Sequence, residues 1–414
     1  MAGYKHGVYT SEVPTSLIPS RSVMTNLPFV VGTAPVDLLS EGKTRYINEP
    51  RLYYTLEEFV TEMGWSEDWE KYTLCEFVQA YTSLYTASPF VVVNVFDPER
   101  HQTDGAPDAS KVVSLDIIGG IDPDTLKYMG LELIQQIFPR FRQVPGCILA
   151  PKFSTDPAVA ISMAVKTTNI NGLFQCVALA DIDVEQVPLY TDVPGYKNSN
   201  NLTNERLILC WPKIALGQRT YHLSSHLAGV MSTVDDDNGS TPHVSPSNKQ
   251  VQITRAVGGG GKELWLGLDQ NNFLNGEGVV TVSNFDGGWR IWGNRTGCYP
   301  AITDPKDAFI PIRRFFNWYQ NTFILTYFQK VDGPLTRRFI TSILDSEQIR
   351  LDGYTAQEKI LGGRISFTRT ENPVTDLIDG VTRFHLHITP PPPARVIEGI
   401  FEFDPYYLNT LFDE

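Results

Sequence analysis

Two histidines one helical turn apart, His222 and His226, could grip a metal ion from one face of a helix, and His385 and His387 could do so from one face of a strand. Neither pair completes a site. Leu223, Ser224 and Ser225 stand between the first two with no glutamate to serve as a general base, and no third ligand accompanies the second pair. The run Gly258 to Lys262, GGGGK, suggests a phosphate cradle. The pattern GxxxxGK[ST], however, needs glycine where Ala256 sits and a hydroxyl where Glu263 sits, so the run reads as a flexible turn. Asp235, Asp236 and Asp237 lack the glycine and distal glutamate of a calcium loop and read as a solvated turn. No serine lies in a GxSxG-type elbow, and none of the seven histidines falls in a recognisable triad motif. The expectation is a protein with no catalytic residues, no cofactor and no metal.

The elements that carry these residues belong to a chain of 414 residues, 42% hydrophobic and 20% charged, which is enough for two or three domains with a large core. A net charge of -13 argues against nucleic acid or an anionic membrane as partner, since both require a basic field. Cys75, Cys147, Cys176, Cys210 and Cys298 are widely spaced with no CxxC pair and read as buried thiols in a reducing cytoplasm. The N-terminus lacks an apolar signal region, and no run approaches the roughly 18 apolar residues of a membrane span.

Along the chain, residues 1–27 carry Val8, Tyr9 and Val13 among prolines and polar residues with no helical stripe, and read as an extended arm. Stretched out, ~20 such residues reach ~65 Å. Residues 28–105 are expected to form a small domain with strands at 28–34 and 90–96 and helices at 56–64 and 74–85. Residues 106–240 alternate helices (126–138, 156–169, 219–234) with strands (145–153, 173–181, 205–212), and Asp156 and Pro157 are placed to start the second helix. Such alternation argues an α/β core with a parallel sheet covered on both faces. Residues 241–390 are expected to be an α+β part, with a helical pair at 313–331 and 335–350 and strands at 363–370 and 381–390. Pro390 to Pro393 then form a stiff spacer into a second arm, 391–414, where Ile397, Phe401 and Phe403 share one face and Glu398, Ile400 and Glu402 the other.

One charge feature departs from the acidic background. Between residues 306 and 350, Lys306, Arg313, Arg314, Lys330, Arg337, Arg338 and Arg350 outnumber Asp307, Asp332, Asp345 and Glu347. A basic island in an acidic protein suits an acidic partner.

The most specified stretch is Asp286 to Thr296, DGGWRIWGNRT, in which Trp289, Trp292, Gly293, Asn294, Arg295 and Thr296 combine aromatic bulk, glycine and guanidinium hydrogen bonding. A helix end, a glycine break and an apolar strand from Val279 to Val282 lead into it. This order resembles the most recognisable block of the tail sheath proteins of contractile phages and related injection devices. Gly7 to Pro14, GVYTSEVP, is similar to that family's opening signature, and Thr241 to Gln252, TPHVSPSNKQVQ, to its SPSNK element. The resemblance covers residues 1–30 and 240–414 by motif and 112–233 by α/β alternation alone; 31–111 match nothing specific, and Gly297 to Pro311 is longer and richer in proline than the family pattern.

The resemblance implies a multi-domain protein with an α/β core of subtilisin-like topology, without protease activity, and with arms that pair with adjacent subunits. It implies a homo-oligomer of hexameric rings stacked helically around an inner tail tube, together with baseplate and tail terminator proteins, and neither nucleic acid nor membrane as partner. Such a sheath belongs to a virion tail or injection particle, is assembled in the bacterial cytoplasm, and contracts to drive the tube through a target envelope. A helix in the C-terminal region would grip the tube by charge, which points to Arg337, Arg338, Arg313, Arg314 and Lys330. The rival reading from another class is a cytoplasmic α/β hydrolase or ligand-binding enzyme.

Overall fold

The computed structural model describes residues 18–19, 21–123 and 125–411. Its centre is an eight-stranded sheet built from β1 (Pro28–Gly32), β2 (Arg51–Tyr53), β3 (Phe90–Asn94), β4 (Cys147–Leu149), β5 (Val177–Asp181), β6 (Leu207–Cys210), β7 (Val279–Phe285) and β8 (Gly288–Trp292). The spatial order is β8-β7-β6-β5-β4-β1-β3-β2. The six inner strands run parallel, and the edge strands β2 and β8 run antiparallel to their neighbours. The strand sequences explain the arrangement: PFVVG, FVVVN, VALAD and LILC are continuous apolar runs, buried at every position, as strands covered on both faces must be. Among the covering helices, α1 (Pro157–Lys166) is capped as its sequence predicts, with Asp156 accepting from the Ala158 amide at 2.9 Å, and α2 (Leu223–Asp237) is almost wholly buried.

The sheet corrects the expected domain plan. β1 lies between β3 and β4, so residues 28–105 share one sheet and one apolar core with residues 106–240 rather than standing apart as a small domain. The helix expected at 126–138 is instead a short strand followed by a 3-10 helix from Gly130 to Gln136 and a helical turn from Ile137 to Phe141. The one expected at 219–234 begins as a strand, Arg219–Tyr221, before α2 starts. That strand belongs to a four-stranded antiparallel sheet with Lys213–Leu216, Arg255–Val257 and Glu263–Leu264.

The C-terminal part follows the expected helical pair. After α3 (Leu268–Gly276) come α4 (Ile310–Tyr327) and α5 (Arg337–Ala356), and then the two-stranded antiparallel sheet of β9 (Gly362–Ser366) and β10 (His385–Thr389). Gln348 ties α5 to β9 through both its amide atoms. The last third of the predicted N-terminal arm lies along these helices: Ile18 N donates to Ser346 Oγ at 3.0 Å, Arg21 N to Thr326 Oγ1 at 3.2 Å, and Trp318 Nε1 to the Val23 carbonyl at 3.0 Å. Val8, Tyr9 and Val13 lie outside the described residues. Among the described residues no helix is long and apolar enough to cross a membrane.

Candidate functional site

The tryptophan-glycine block is a joint. β7 and β8 form a hairpin whose turn needs positive φ at Gly287 and Gly288, and Thr281 faces Trp292 across it. The SPSNK stretch then runs beside the edge strand β8: Asn248 N donates to the Ile291 carbonyl at 2.7 Å, Ile291 N to the Lys249 carbonyl at 2.9 Å, and Val251 N to the Trp289 carbonyl at 3.0 Å. An open edge is thereby covered. Arg290 Nη1 donates to the Asn248 carbonyl, Trp292 Nε1 to Asn272 Oδ1 and Trp289 Nε1 to the Thr254 carbonyl. At Gly293 the φ of 142° and a Val280 Cα only 2.9 Å from where a Cβ would stand exclude any larger residue. The rest of the block reaches the start of α4. Ile310 N donates to the Asn294 carbonyl, and Thr296 Oγ1 to the Asp307 carbonyl at 2.7 Å. The Arg295 guanidinium lies 3.7 Å from the centre of the Phe309 ring and 4.3 Å from that of Tyr299. Burial, and then the Arg395 charge, press its pKa downward against the pull of Tyr299. Two sequence elements that carry the family resemblance are thus brought together: the SPSNK stretch covers the sheet edge, and the tryptophan-glycine block ties that edge to the start of α4.

The basic island divides. Arg313 and Arg314, expected to reach a partner, are buried. Arg313 donates to Asp307 Oδ1 at 2.8 Å and to Asn317 Oδ1 at 3.1 Å, while Arg314 makes a two-pronged ion pair with Asp235 at 3.2 and 2.5 Å. The reason is the aromatic face of α4, which is packed into the core and carries its polar neighbours with it. Asp235, expected in a solvated turn, is instead a fully buried residue of α2. Arg350 is likewise held by Glu347 at 2.6 Å. Lys330, Arg337 and Arg338 remain exposed and form no ion pair among the described residues. Lys330 and Arg338 line a groove of about 570 Å³ at the start of α5, where Thr336 caps the helix by accepting from the Phe339 amide.

The residues with chemical potential are engaged elsewhere. At the N-terminus of α2, Ser224 N and Oγ donate to Asp181 and not to a histidine, and His222 Nδ1 bonds Glu76 Oε2 at 2.8 Å, so no Ser-His pair forms. Burial opposes the His222 charge, but Glu76 more than offsets this and raises its pKa. His226 contacts Tyr85 at 2.8 Å, and burial pushes its pKa down to about 3. The glycine run at 258–262 turns its Gly260 amide onto both Glu185 oxygens at 2.9 Å, so an internal carboxylate holds the place a phosphate would need. His385 and His387 stack at 4.2 Å with Glu371 against His385. Among the described residues no group of three or more His, Cys, Asp or Glu is arranged to hold a metal ion.

The C-terminal arm is the most exposed apolar segment described. Ile397 is 91%, Phe401 98% and Phe403 78% exposed, and the segment pairs with no strand among the described residues. Its last described part, Pro405–Leu411, is a 3-10 helix rather than strand.

No protein-family model matches the chain. It is 26% identical over 317 residues to a tail sheath protein of Burkholderia phage BcepMu, a match covering 73% of this chain and 64% of that relative's length. It is 23% identical over 347 residues to the major tail sheath protein of Serratia phage KSP20, covering 80% and 81% respectively. Among solved structures, the sheath complex of the extracellular contractile injection system PVC in its contracted state overlays with a TM-score of 0.68 at 14% identity, over 98% of this chain and 99% of that one. The chain is thus similar in sequence to tail sheath proteins of contractile phages and in fold to the sheath of a contractile injection system.

Proposed function

We propose that the chain polymerises as stacked hexameric rings around an inner tube and contracts to drive that tube through a target envelope, as part of a virion tail or injection particle assembled in the bacterial cytoplasm. Baseplate and terminator proteins would bound the sheath at its ends. The same reading takes the sheet order as a variant of a subtilisin-like core. It also makes residues 28–240 the body that changes neighbours between two packings, so the difference in interface area supplies the work without a nucleotide.

The observation that carries this reading is the C-terminal arm. Ile397, Ile400, Phe401 and Phe403 are each more than three-quarters exposed, an arrangement that a free-standing soluble subunit has no reason to keep. The exposed Arg337, Arg338 and Lys330, beside the capped start of α5, supply the tube-facing charge; Arg313 and Arg314 leave the tube-facing set. Electron microscopy of the purified chain tests the reading. Helical tubes or discs are expected from the full chain, and dispersed subunits of unchanged fold from a chain ending at Val396. Normal tubes from the truncated chain would overturn the role of the arm, and a monodisperse monomer with measurable turnover would favour the enzyme reading.

A further inference from the structure

Among the described residues, His385 and His387 are the histidines that stand exposed, and they occupy alternate positions on one face of β10. His101, His222 and His226 are buried, and His243 is half-buried. The two exposed rings stack with their centres 4.2 Å apart and their planes 14° from parallel. Zinc and its neighbours in the first transition row sit about 2.0–2.1 Å from an imidazole nitrogen, so two ring nitrogens share one ion only within about 4.2 Å of each other. Rings stacked this closely meet that limit with a small side-chain rotation.

His385 is held in the manner of a metal ligand. Its Nδ1 bonds Glu371 Oε1, which leaves Nε2 without a partner among the described residues, and a carboxylate behind an imidazole fixes the ring and raises the basicity of its other nitrogen. The carboxylate is itself fixed, because Thr368 Oγ1 donates to Glu371 Oε2 at 3.1 Å. Asn372 then ties this loop to the strand: its Nδ2 donates to the Thr368 and Arg383 carbonyls, both at 2.9 Å, and its Oδ1 accepts from Arg383 N at 2.6 Å. The Arg383 charge is met by Asp376. His387 has no hydrogen-bond partner among the described residues. Desolvation, and then the Arg364 charge directly across the β9–β10 ladder, hold its pKa below the ordinary value, which keeps its lone pair free at neutral pH.

We infer that His385 and His387 chelate one divalent ion of the late first transition row, Ni²⁺, Cu²⁺ or Zn²⁺, with Glu371 behind His385 and water in the remaining positions. Imidazole suits these ions, whereas Mg²⁺ and Ca²⁺ take oxygen ligands. Two protein ligands make an open, exchangeable site rather than a closed structural one. Its place in the chain gives it a consequence. β10 ends at Thr389, immediately before the proline run, so a bound ion pins the strand from which the C-terminal arm departs. Arg364 opposes the ion by charge, and that opposition supplies a directional test.

The test is calorimetric titration of the full chain with nickel chloride, and separately with zinc chloride, in a non-chelating buffer. One ion per copy is expected, and magnesium chloride should not bind. His385→Ala and His387→Ala should each abolish binding, while Glu371→Gln should weaken it by about tenfold. Arg364→Gln should tighten it by about threefold, since a like charge is removed from beside the ion. Both histidines and Arg364 are exposed, so these three variants should fold as the parent does. Amide hydrogen exchange in β10 should slow on addition of nickel to the parent and stay unchanged in His387→Ala. Failure of both nickel and zinc to bind, or binding that survives replacement of both histidines, would overturn the inference. Weaker binding by Arg364→Gln than by the parent would also overturn it, by placing the ion away from the stacked rings.

Discussion

Two consecutive helices carry the same dipeptide near their starts and use it in opposite ways. Arg313-Arg314 lies one turn into α4 and is buried at 3% and 4% exposure, each arginine matched to an aspartate; Arg337-Arg338 opens α5 exposed and without a carboxylate among the described residues. The neighbours decide the difference. α4 is flanked by Phe315, Trp318 and Tyr319, which the core swallows, and its arginines can follow only because Asp307 and Asp235 wait for them. α5 follows an exposed turn, Val331 to Thr336, and its first two residues stay exposed with no carboxylate partner among the described residues. A local count of charge treats the two pairs alike, whereas their energetic roles are separated by several kcal/mol.

The sharpest way to break this comparison is substitution. Arg314→Ala would strand Asp235 in the core and is expected to destabilise the subunit by about 3–5 kcal/mol, whereas Arg338→Ala should stay within about 0.5 kcal/mol of the parent. Urea unfolding of both variants measures the contrast. A cost below about 1 kcal/mol for Arg314→Ala would mean that Asp235 finds water or protonates, and that the burial of the pair has been overstated.

A second contrast sits at the start of α2, between His222 at its N-cap and His226 in its first turn. His222, raised by Glu76 against its burial, stabilises the fold fully below the unfolded value of about 6.5 and loses that contribution as pH rises through its folded pKa. His226, lowered by burial to about 3, must stay neutral in the fold. Its contribution is present above about 6.5 and is lost as pH falls from there toward 3, at a slope of at most about 1.4 kcal/mol per pH unit. Together the pair favours stability near pH 6.5. Stability curves should show His226→Gln flattening the acidic limb relative to the parent and His222→Gln flattening the alkaline limb. If both variants kept the parental pH profile, the two rings would titrate alike in the folded and unfolded chain.

These cases show what the sequence can carry. The parallel strands were legible because apolar residues dominate Phe90–Asn94, Val177–Asp181 and Leu207–Cys210 with no polar alternation, and the start of α1 was legible because Asp156 and Pro157 act locally. The helical pair near residues 313–350 was legible from its aromatic and charged periodicity. What escaped depends on distant partners. Asp235 looks solvated until Arg314 arrives from 79 residues away, and β1 looks like the start of its own domain until β4 pairs with it. A reader of the sequence could still have noticed that the SPSNK stretch and the tryptophan-glycine block each lack an obvious chemical task, which is what residues in a joint look like.

The smallest expected effect says most about why Arg337 and Arg338 are where they are. The first turn of a helix presents unpaired amides and the positive end of the dipole, so two cations there are unfavourable, and the Thr336 cap satisfies only part of the deficit. Had stability alone shaped this turn, acidic residues would occupy it. Replacing both arginines by glutamate should therefore stabilise the isolated subunit slightly, by about 0.3–1 kcal/mol per residue at low salt, with the gain fading as salt is raised. The same double variant should coat an acidic tube poorly, most clearly at low salt, where the parent grip is strongest. Thermal melts of the subunit and sedimentation of sheath with tubes give the two readings. A variant that is both less stable and equally able to coat tubes would show that the exposed pair serves the fold after all, and the contrast with Arg313-Arg314 would be one of degree.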